Sequence, residues 1–169
     1  MSNKLGATMV SEVAQTNLVT VQPTTKLEQI AKLFEQHDIN AAPVVDGVGK
    51  CLGIITSRDL VRYESMRSQL ESEFRHGLAF DLAHYADGSP SKILGQPFDE
   101  AAYHMSKDIK TISGTEPISR AGRIMCQEHI HHLIILDSAD RPIGILSTLD
   151  VLAEALDEVV ASKSLVDTR

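Results

Sequence analysis

An internal repeat constrains the fold of this chain more than any other feature of its sequence. Residues 17–63 align on residues 108–154 without a gap, at a constant shift of 91 positions, and 8 of the 47 aligned residues are identical. Apolar residues also fall on apolar residues at many positions along the alignment, as Leu18 on Ile109 and Ile55 on Leu146. The sequence therefore predicts two copies of one supersecondary unit, joined by a linker.

Within the first copy, the hydrophobic periodicity changes in a fixed order. The β-branched run Asn17–Val21 predicts a strand. Thr25 and Glu28 have the spacing of a capping box, and apolar residues at helical intervals predict a helix that ends near His37. A β-hairpin and then a second helix are predicted after it, over Ala41–Val45, Cys51–Thr56 and the residues that follow Thr56.

The second copy repeats this order with small differences. Its first helix begins at Pro117, since proline is tolerated at a first helical position. The hairpin strands are predicted at Leu133–Leu136 and Pro142–Ser147, with the second helix after Ser147. This C-terminal helix is expected to be the longer one, and it carries an apolar stripe at helical spacing: Leu149, Leu152, Leu156 and Val159.

Each copy is thus predicted to be β-α-β-β-α, in a fold of the α/β (α+β) class. We expect a first copy over residues 1–63, a helical linker over 64–100, and a second copy with an extended C-terminal helix over 101–169. In the linker a helix is predicted to continue to about Ala86, and Pro97–Met105 to form a short helix. A solvated helical spacer is the simplest role for this linker, and a lid or a partner surface is the alternative.

Composition excludes several classes of partner. The net charge is −7 and tryptophan is absent, which argues against a positive or base-stacking surface for nucleic acid. No apolar run approaches the roughly 20 residues of a membrane helix, and the N-terminus does not resemble a secretory signal. Two cysteines, Cys51 and Cys126, do not form a disulfide framework. We therefore expect a cytoplasmic protein that binds neither nucleic acid nor membrane.

The two copies resemble a tandem pair of CBS domains, the family named after cystathionine β-synthase. The matching motif is G-h-h-[T/S]-x-x-D, present as Gly53–Leu60 and Gly144–Val151, and the upstream runs Asn17–Pro23 and Ile39–Val45 are similar to the family's strands. The resemblance implies two copies about a pseudo-twofold axis with two clefts between them. It also implies binding of an adenosine-containing ligand (AMP, ADP, ATP or S-adenosylmethionine) and signalling to a protein effector. No other domain is present in this sequence, so the module is expected to stand alone.

The motif residues have chemical reasons to contact such a ligand. An aspartate in the first turn of a helix, Asp59 or Asp150, can accept the hydroxyl protons of a ribose. The hydroxyl of Thr56 or Ser147 can donate to a phosphate oxygen, next to the free N–H groups of the helix start. The same spacing is that of a capping box, and both roles can hold together.

The first copy is expected to hold the better site. Arg58 can form a charge-assisted bond to phosphate, and two small alanines leave room for adenine. The expected ligand contacts of this copy are Thr20, Val21, Asn40, Ala41, Ala42, Pro43, Thr56, Arg58 and Asp59.

The second copy departs from this pattern. Leu149 stands where the first copy has Arg58, and bulky histidines stand in place of Asn40 and Ala41. Arg120 and Arg123 are candidate phosphate partners or ordinary surface charges. The second site is therefore empty, selective for another ligand or purely structural, and its candidate residues are Lys110, Thr111, His131, His132, Ser147 and Asp150.

Metal and catalytic sites are not expected. His129 and His131 would share a face if they lay on a strand, but no further ligand completes a recognisable metal spacing, and Cys126 is expected to be a buried helix residue. No phosphate-binding loop, nucleophile elbow or zinc-protease motif is present.

Three functions remain open. The first is a non-enzymatic sensor of an adenosine ligand, which we expect to be a symmetric homodimer through its C-terminal helices. The second is an interaction or oligomerisation module without a ligand, and the third, least supported, is an enzyme that acts on nucleotides.

Overall fold

The computed structural model describes residues 4–75 and 98–164. Within them the chain divides into two compact units. The first-copy unit contains residues 19–47, 52–75 and 98–107, and the second-copy unit contains residues 4–18, 48–51 and 108–164.

The helices and strands follow the order that the repeat predicts, except that neither copy has its first strand. Two short helices come first, and each copy then contributes a helix, a hairpin and a longer helix. The elements are α1 (Lys4–Ala7), α2 (Val10–Val13), α3 (Leu27–His37), β1 (Ala41–Val45), β2 (Cys51–Thr56), α4 (Ser57–Arg75), α5 (Ala101–His104), α6 (Ile118–Glu128), β3 (His132–Leu136), β4 (Pro142–Ser147) and α7 (Thr148–Ser164). In these residues no helix combines the length and the apolar character needed to cross a bilayer.

Each unit has a two-stranded sheet and its own apolar core. Strand β1 pairs with β2, and β3 pairs with β4 in antiparallel register from His132 opposite Ser147 to Leu136 opposite Pro142. The core of the first-copy unit is formed by buried residues of α3, the sheet and α5: Val21, Leu27, Ile30, Phe34, Ala42, Val44, Ile55 and Ala101. The core of the second-copy unit is equivalent: Val10, Ile112, Ile118, Ala121, Met125, Leu133, Ile135 and Leu146. The predicted α+β fold of two β-hairpin repeats is confirmed.

The strand predicted at Asn17–Val21 is wrong, because only a single parallel bridge forms there, between Val21 and Val44. In the second copy the amide of Ile134 donates to the carbonyl of Lys110 at 3.2 Å. Pro43 occupies the position of Ile134 and has no N–H to donate. The first copy therefore has one hydrogen bond fewer at this edge, but the second copy also forms only a single bridge, between Thr111 and Ile134, so neither entry segment is a strand.

The start of α3 also differs from its prediction. Thr25 does not cap the helix, because its hydroxyl accepts a hydrogen bond from the amide of Gln22 at 3.0 Å, in the turn before it. The helix begins at Leu27, and the side chain of Gln29 accepts from the amide of Lys26 at 3.4 Å. The predicted end at His37 is confirmed.

One further expectation is wrong. Cys126 is exposed, because it lies off the buried face of α6 that Met125 belongs to. Helices α4 and α7 each reach the limit of the described residues, with 19 and 17 residues, so the greater length of the C-terminal helix stays a prediction. The predicted linker helix is observed as far as Arg75, and the rest of that prediction, to Ala86, lies outside the described residues.

The segment that precedes each copy packs on the other copy. The amide of Val10 donates to the carbonyl of Glu116, and the amide of Ala101 to that of Thr25, both at 2.9 Å. Gln15 likewise forms an antiparallel bridge with Ile145, as Ser106 does with Ile54. These partners are related by the same shift of 91, so the structural repeat extends upstream to residues 8–15 and 99–106. We call these two stretches the exchanged segments.

Candidate functional site

A shared carboxylate organises the start of α4. Oδ2 of Asp59 accepts a hydrogen bond from the backbone amide of Thr56 at 2.8 Å and another from its hydroxyl at 2.7 Å. Thr56 is the last residue of β2, and Asp59 lies in the first turn of the helix that follows. The aspartate therefore caps the helix through one oxygen, as half of a capping box does.

The second copy has the same arrangement. Oδ2 of Asp150 accepts from the amide and the hydroxyl of Ser147, both at 2.7 Å. The amide of Asp150 also donates to the hydroxyl of Ser147 at 3.3 Å, which completes the reciprocal capping box. In both copies the hydroxyl proton predicted for a phosphate is thus donated to the aspartate.

In each copy two backbone hydrogen bonds connect the other predicted site segments. One joins the entry segment to the first hairpin strand, and the other joins the residues just before that strand to the helix start. In the first copy the amide of Val21 donates to the carbonyl of Pro43 at 3.1 Å, and the amide of Ser57 to that of Asn40 at 2.9 Å. In the second copy the matching bonds run from Ile112 to Ile134 at 3.1 Å and from Thr148 to His131 at 3.0 Å. Each candidate site is therefore a contiguous set of segments within one unit.

Exposure separates the predicted first-copy residues into two groups. Thr20, Asn40 and Arg58 are exposed, and Asp59 is half-buried. Four other predicted contacts are buried: Val21, Ala41, Ala42 and Pro43. Of these, Val21 and Ala42 belong to the core. The side chain of Ala42 thus contacts the core, and the exposed polar groups of this site come from Thr20, Asn40 and the start of α4.

The second-copy site has a different electrostatic character. Leu149 is 68% exposed at the position of Arg58. The ammonium of Lys110 lies 3.5 Å from the carboxylates of both Asp108 and Glu128, and these two acids raise its pKa. Its positive charge is therefore already matched by two negative charges.

The two histidines of this site lie in different environments. His131 is exposed, and His132 is the half-buried first residue of β3. Burial lowers the pKa of His132, and the neighbouring His131 adds to this effect while Asp150 opposes it. The imidazole of His132 is therefore kept neutral at neutral pH.

The strand face that a histidine metal site would need is absent from this region. His129 is not on a strand but ends α6 in the left-handed conformation, with φ of 54°. In the ranges described, no three His, Cys, Asp or Glu side chains are grouped so as to hold a metal ion.

Comparison with known proteins gives both a family match and structural neighbours. The CBS domain family model matches residues 10–65 and 100–157. An uncharacterized 17.7 kDa protein of Acidianus ambivalens is 26% identical over 151 residues, which cover 89% of this chain and 75% of that protein. Four of the other curated relatives are much longer, and the chain spans 22% to 25% of their length.

Two solved structures share the fold. The CBS domain pair of protein MJ0100, in complex with 5′-methylthioadenosine and S-adenosyl-L-methionine, has a TM-score of 0.65 and 22% identity, and the match covers 89% of this chain and 98% of that one. CBSX2 in complex with AMP has a TM-score of 0.64 and 18% identity, over 88% of this chain and 96% of that one. The model match and both structures agree with the tandem repeat.

Proposed function

Since the chain belongs to the CBS domain family, as a tandem pair, we propose that it is a non-enzymatic regulatory module that binds an adenosine-containing ligand. AMP, ADP, ATP and S-adenosylmethionine are the candidate ligands. CBS domains are generally regulatory rather than catalytic, and two structural neighbours were solved with adenosine compounds bound.

One observation carries this proposal. Each helix-start aspartate uses only Oδ2 for its cap, and within residues 4–75 and 98–164 no hydrogen bond to Oδ1 of Asp59 or Asp150 is formed. Capping and ligand binding therefore do not compete. A ribose hydroxyl can donate to Oδ1 while the cap stays intact.

The other predicted residues have matching roles. In the first copy the exposed guanidinium of Arg58 and the amides of Arg58 and Asp59 would bind phosphate, because these amides have no intrahelical acceptor, whereas the amide of Ser57 already donates to Asn40. The backbone around Thr20, Val21 and Asn40–Pro43 would read the edge of adenine. The equivalent positions of the second copy are Lys110, Thr111, His131, His132, Ser147 and Asp150.

A thermal-shift series tests the proposal. A ligand present at about 100 times its dissociation constant stabilises the folded state by about 2.7 kcal/mol, which for a chain of this size raises Tm by about 5–11 °C. The double variant Asp59→Asn/Asp150→Asn is the matched control: binding at least about tenfold weaker leaves at most about 1.4 kcal/mol of stabilisation, so its shift in Tm should be about half that of the unmodified chain or less. If all four ligands at millimolar concentration leave the melting curve of the unmodified chain unchanged, the interaction module is the better account.

We further propose that the module is a cytoplasmic homodimer that reports ligand binding to a protein effector. Neither Cys51 nor Cys126 forms a disulfide, which suits a reducing compartment. Leu149, Leu152 and Leu156 are each more than half exposed along one face of α7, and we call them the α7 stripe. Burial of this stripe against a second copy would remove apolar surface from water.

A further inference from the structure

The two candidate sites share one backbone framework but differ in charge. At matching positions, both have the backbone hydrogen bond from the entry segment to the hairpin, the one from the helix start to the residues before the hairpin, and the aspartate cap through Oδ2. Any difference in the ligands they take must therefore arise from a few side chains and from the amides that remain available.

The first copy presents an available cation. Arg58 is exposed, and it forms no ion pair with any residue of the described ranges. At the positions that correspond to Asp108 and Glu128 this copy has Asn17 and His37, so it lacks both carboxylates. A phosphate bound at the start of α4 would meet a positive side chain and the positive end of the helix dipole.

The second copy presents no such cation at the matching position. Leu149 replaces the arginine. Lys110 has one positive charge and the neighbouring Asp108 and Glu128 have two negative charges, so this group of three side chains has a net negative charge. The amide of Asp150 is also occupied, since it donates to Ser147. Arg120, on α6, lies 3.5 Å from Glu116, which precedes that helix. Arg123 is exposed on α6 and does not belong to the first turn of α7. A dianionic phosphate at the start of α7 is therefore disfavoured relative to the first copy, whereas an uncharged nucleoside meets no such penalty.

We infer, on the premise of the proposed function, that the first copy takes phosphorylated adenosine ligands and the second takes adenosine ligands that carry no phosphate. The chain would then sense two chemical classes at once, through the same ribose contact.

Titration calorimetry with AMP and adenosine tests this, because the two probes differ only in the phosphate. Asp150→Asn leaves the first site intact and should bind AMP at least about tenfold more tightly than adenosine. Asp59→Asn leaves the second site intact and should bind adenosine more tightly than AMP.

Arg58→Leu, added to Asp150→Asn, should reduce the AMP preference to about one. Arg62→Leu in the same background is the control, because it removes a positive charge one turn further along α4 and should keep the preference. The inference is overturned if the two aspartate variants show the same ratio of AMP to adenosine affinity. Failure of both probes to bind the unmodified chain would also overturn this inference, whereas the proposed function would be refuted only if ADP, ATP and S-adenosylmethionine failed to bind as well.

Discussion

A Cβ atom at Gly53 would lie 2.6 Å from the carbonyl oxygen of Ser106. The reason is the exchanged segment, since Ile54 and Ser106 form two backbone hydrogen bonds of 2.9 Å directly beside this glycine. The first residue of the G-h-h-[T/S]-x-x-D motif must thus be glycine in the first copy, because the backbone of Ser106 lies too close for a side chain.

Alanine at Gly53 should therefore destabilise the fold, by about 1–3 kcal/mol, because a backbone carbonyl cannot move aside cheaply. Gly144→Ala is the matched control. Its nearest neighbour is the terminal methyl of Ile135 at 3.0 Å, and the carbonyl of Gln15 is 3.6 Å away. A flexible side chain can adjust, so this variant should be close to neutral. Urea denaturation measures both losses, and equal losses would contradict the explanation.

Asp59→Asn should weaken binding of a phosphorylated adenosine ligand by at least about tenfold, because a neutral amide replaces the charged acceptor of the ribose hydroxyls. The cost in stability should be only a few tenths to about 1 kcal/mol, since asparagine can still accept the cap bond. Asp150→Asn should affect binding of that ligand less. Titration calorimetry that gave equal, small effects for both variants would leave the aspartates as caps alone.

His132 should make the stability of the protein sensitive to mild acid. Its pKa lies below the ordinary 6.5 because the ring is buried, so the unfolded chain binds this proton more readily than the folded one. The associated stability is fully present above about pH 6.5 and is lost as the pH falls below that value.

His132→Ala should reduce this sensitivity, and alanine is the residue that the first copy has at this position, Ala41. The measurement is the difference in Tm between about pH 7.5 and 5.5. His37→Ala, which removes an exposed histidine at the end of α3, should keep the difference of the unmodified chain. An unchanged difference in His132→Ala would rule out this residue as its source.

The proposed homodimer predicts a mass of about 37 kDa by light scattering, twice the 18.5 kDa of one chain. Leu152→Glu should shift the mass to 18.5 kDa, because a charge in the middle of the α7 stripe would be buried unpaired. Val61→Glu is the control: Val61 holds the same position on α4 and is 66% exposed. A monomeric mass for the unmodified chain at micromolar concentration would contradict the dimer.

The parts of the fold that depend on local pattern could be predicted from the sequence. Both hairpins and the end of α3 follow from periodicity and turn residues. The missing strand could not be predicted from Asn17–Val21, because whether such a run becomes a strand depends on pairing with residues more than 20 positions away, and here only Val21 forms a bridge, with Val44. The exposure of Cys126 could have been predicted, since the repeat aligns it with Glu35.

The exchanged segments had no signal in the sequence. Residues 8–15 and 99–106 share no identity at the repeat's shift, and their pairing depends on backbone hydrogen bonds rather than on particular side chains of these two segments. For the candidate site, the sequence predicted the two possible roles of each aspartate. That one oxygen serves the cap and leaves the other available could be learned only from atomic positions.

The exchanged segments have a consequence for how the chain can be divided. Contacts such as that of Val10 with Glu116 join residues about 100 positions apart, so neither compact unit is completed until distant parts of the chain have met. Cleavage of the chain between residues 75 and 98 would give two fragments, each of which carries the piece that the other lacks. Such fragments would be expected to reassemble as an obligate heterodimer rather than to fold separately. A chimera in which one copy is replaced by that of a relative would also have to replace the exchanged segment that packs on that copy. This segment is residues 99–106 for the first copy and residues 8–15 for the second.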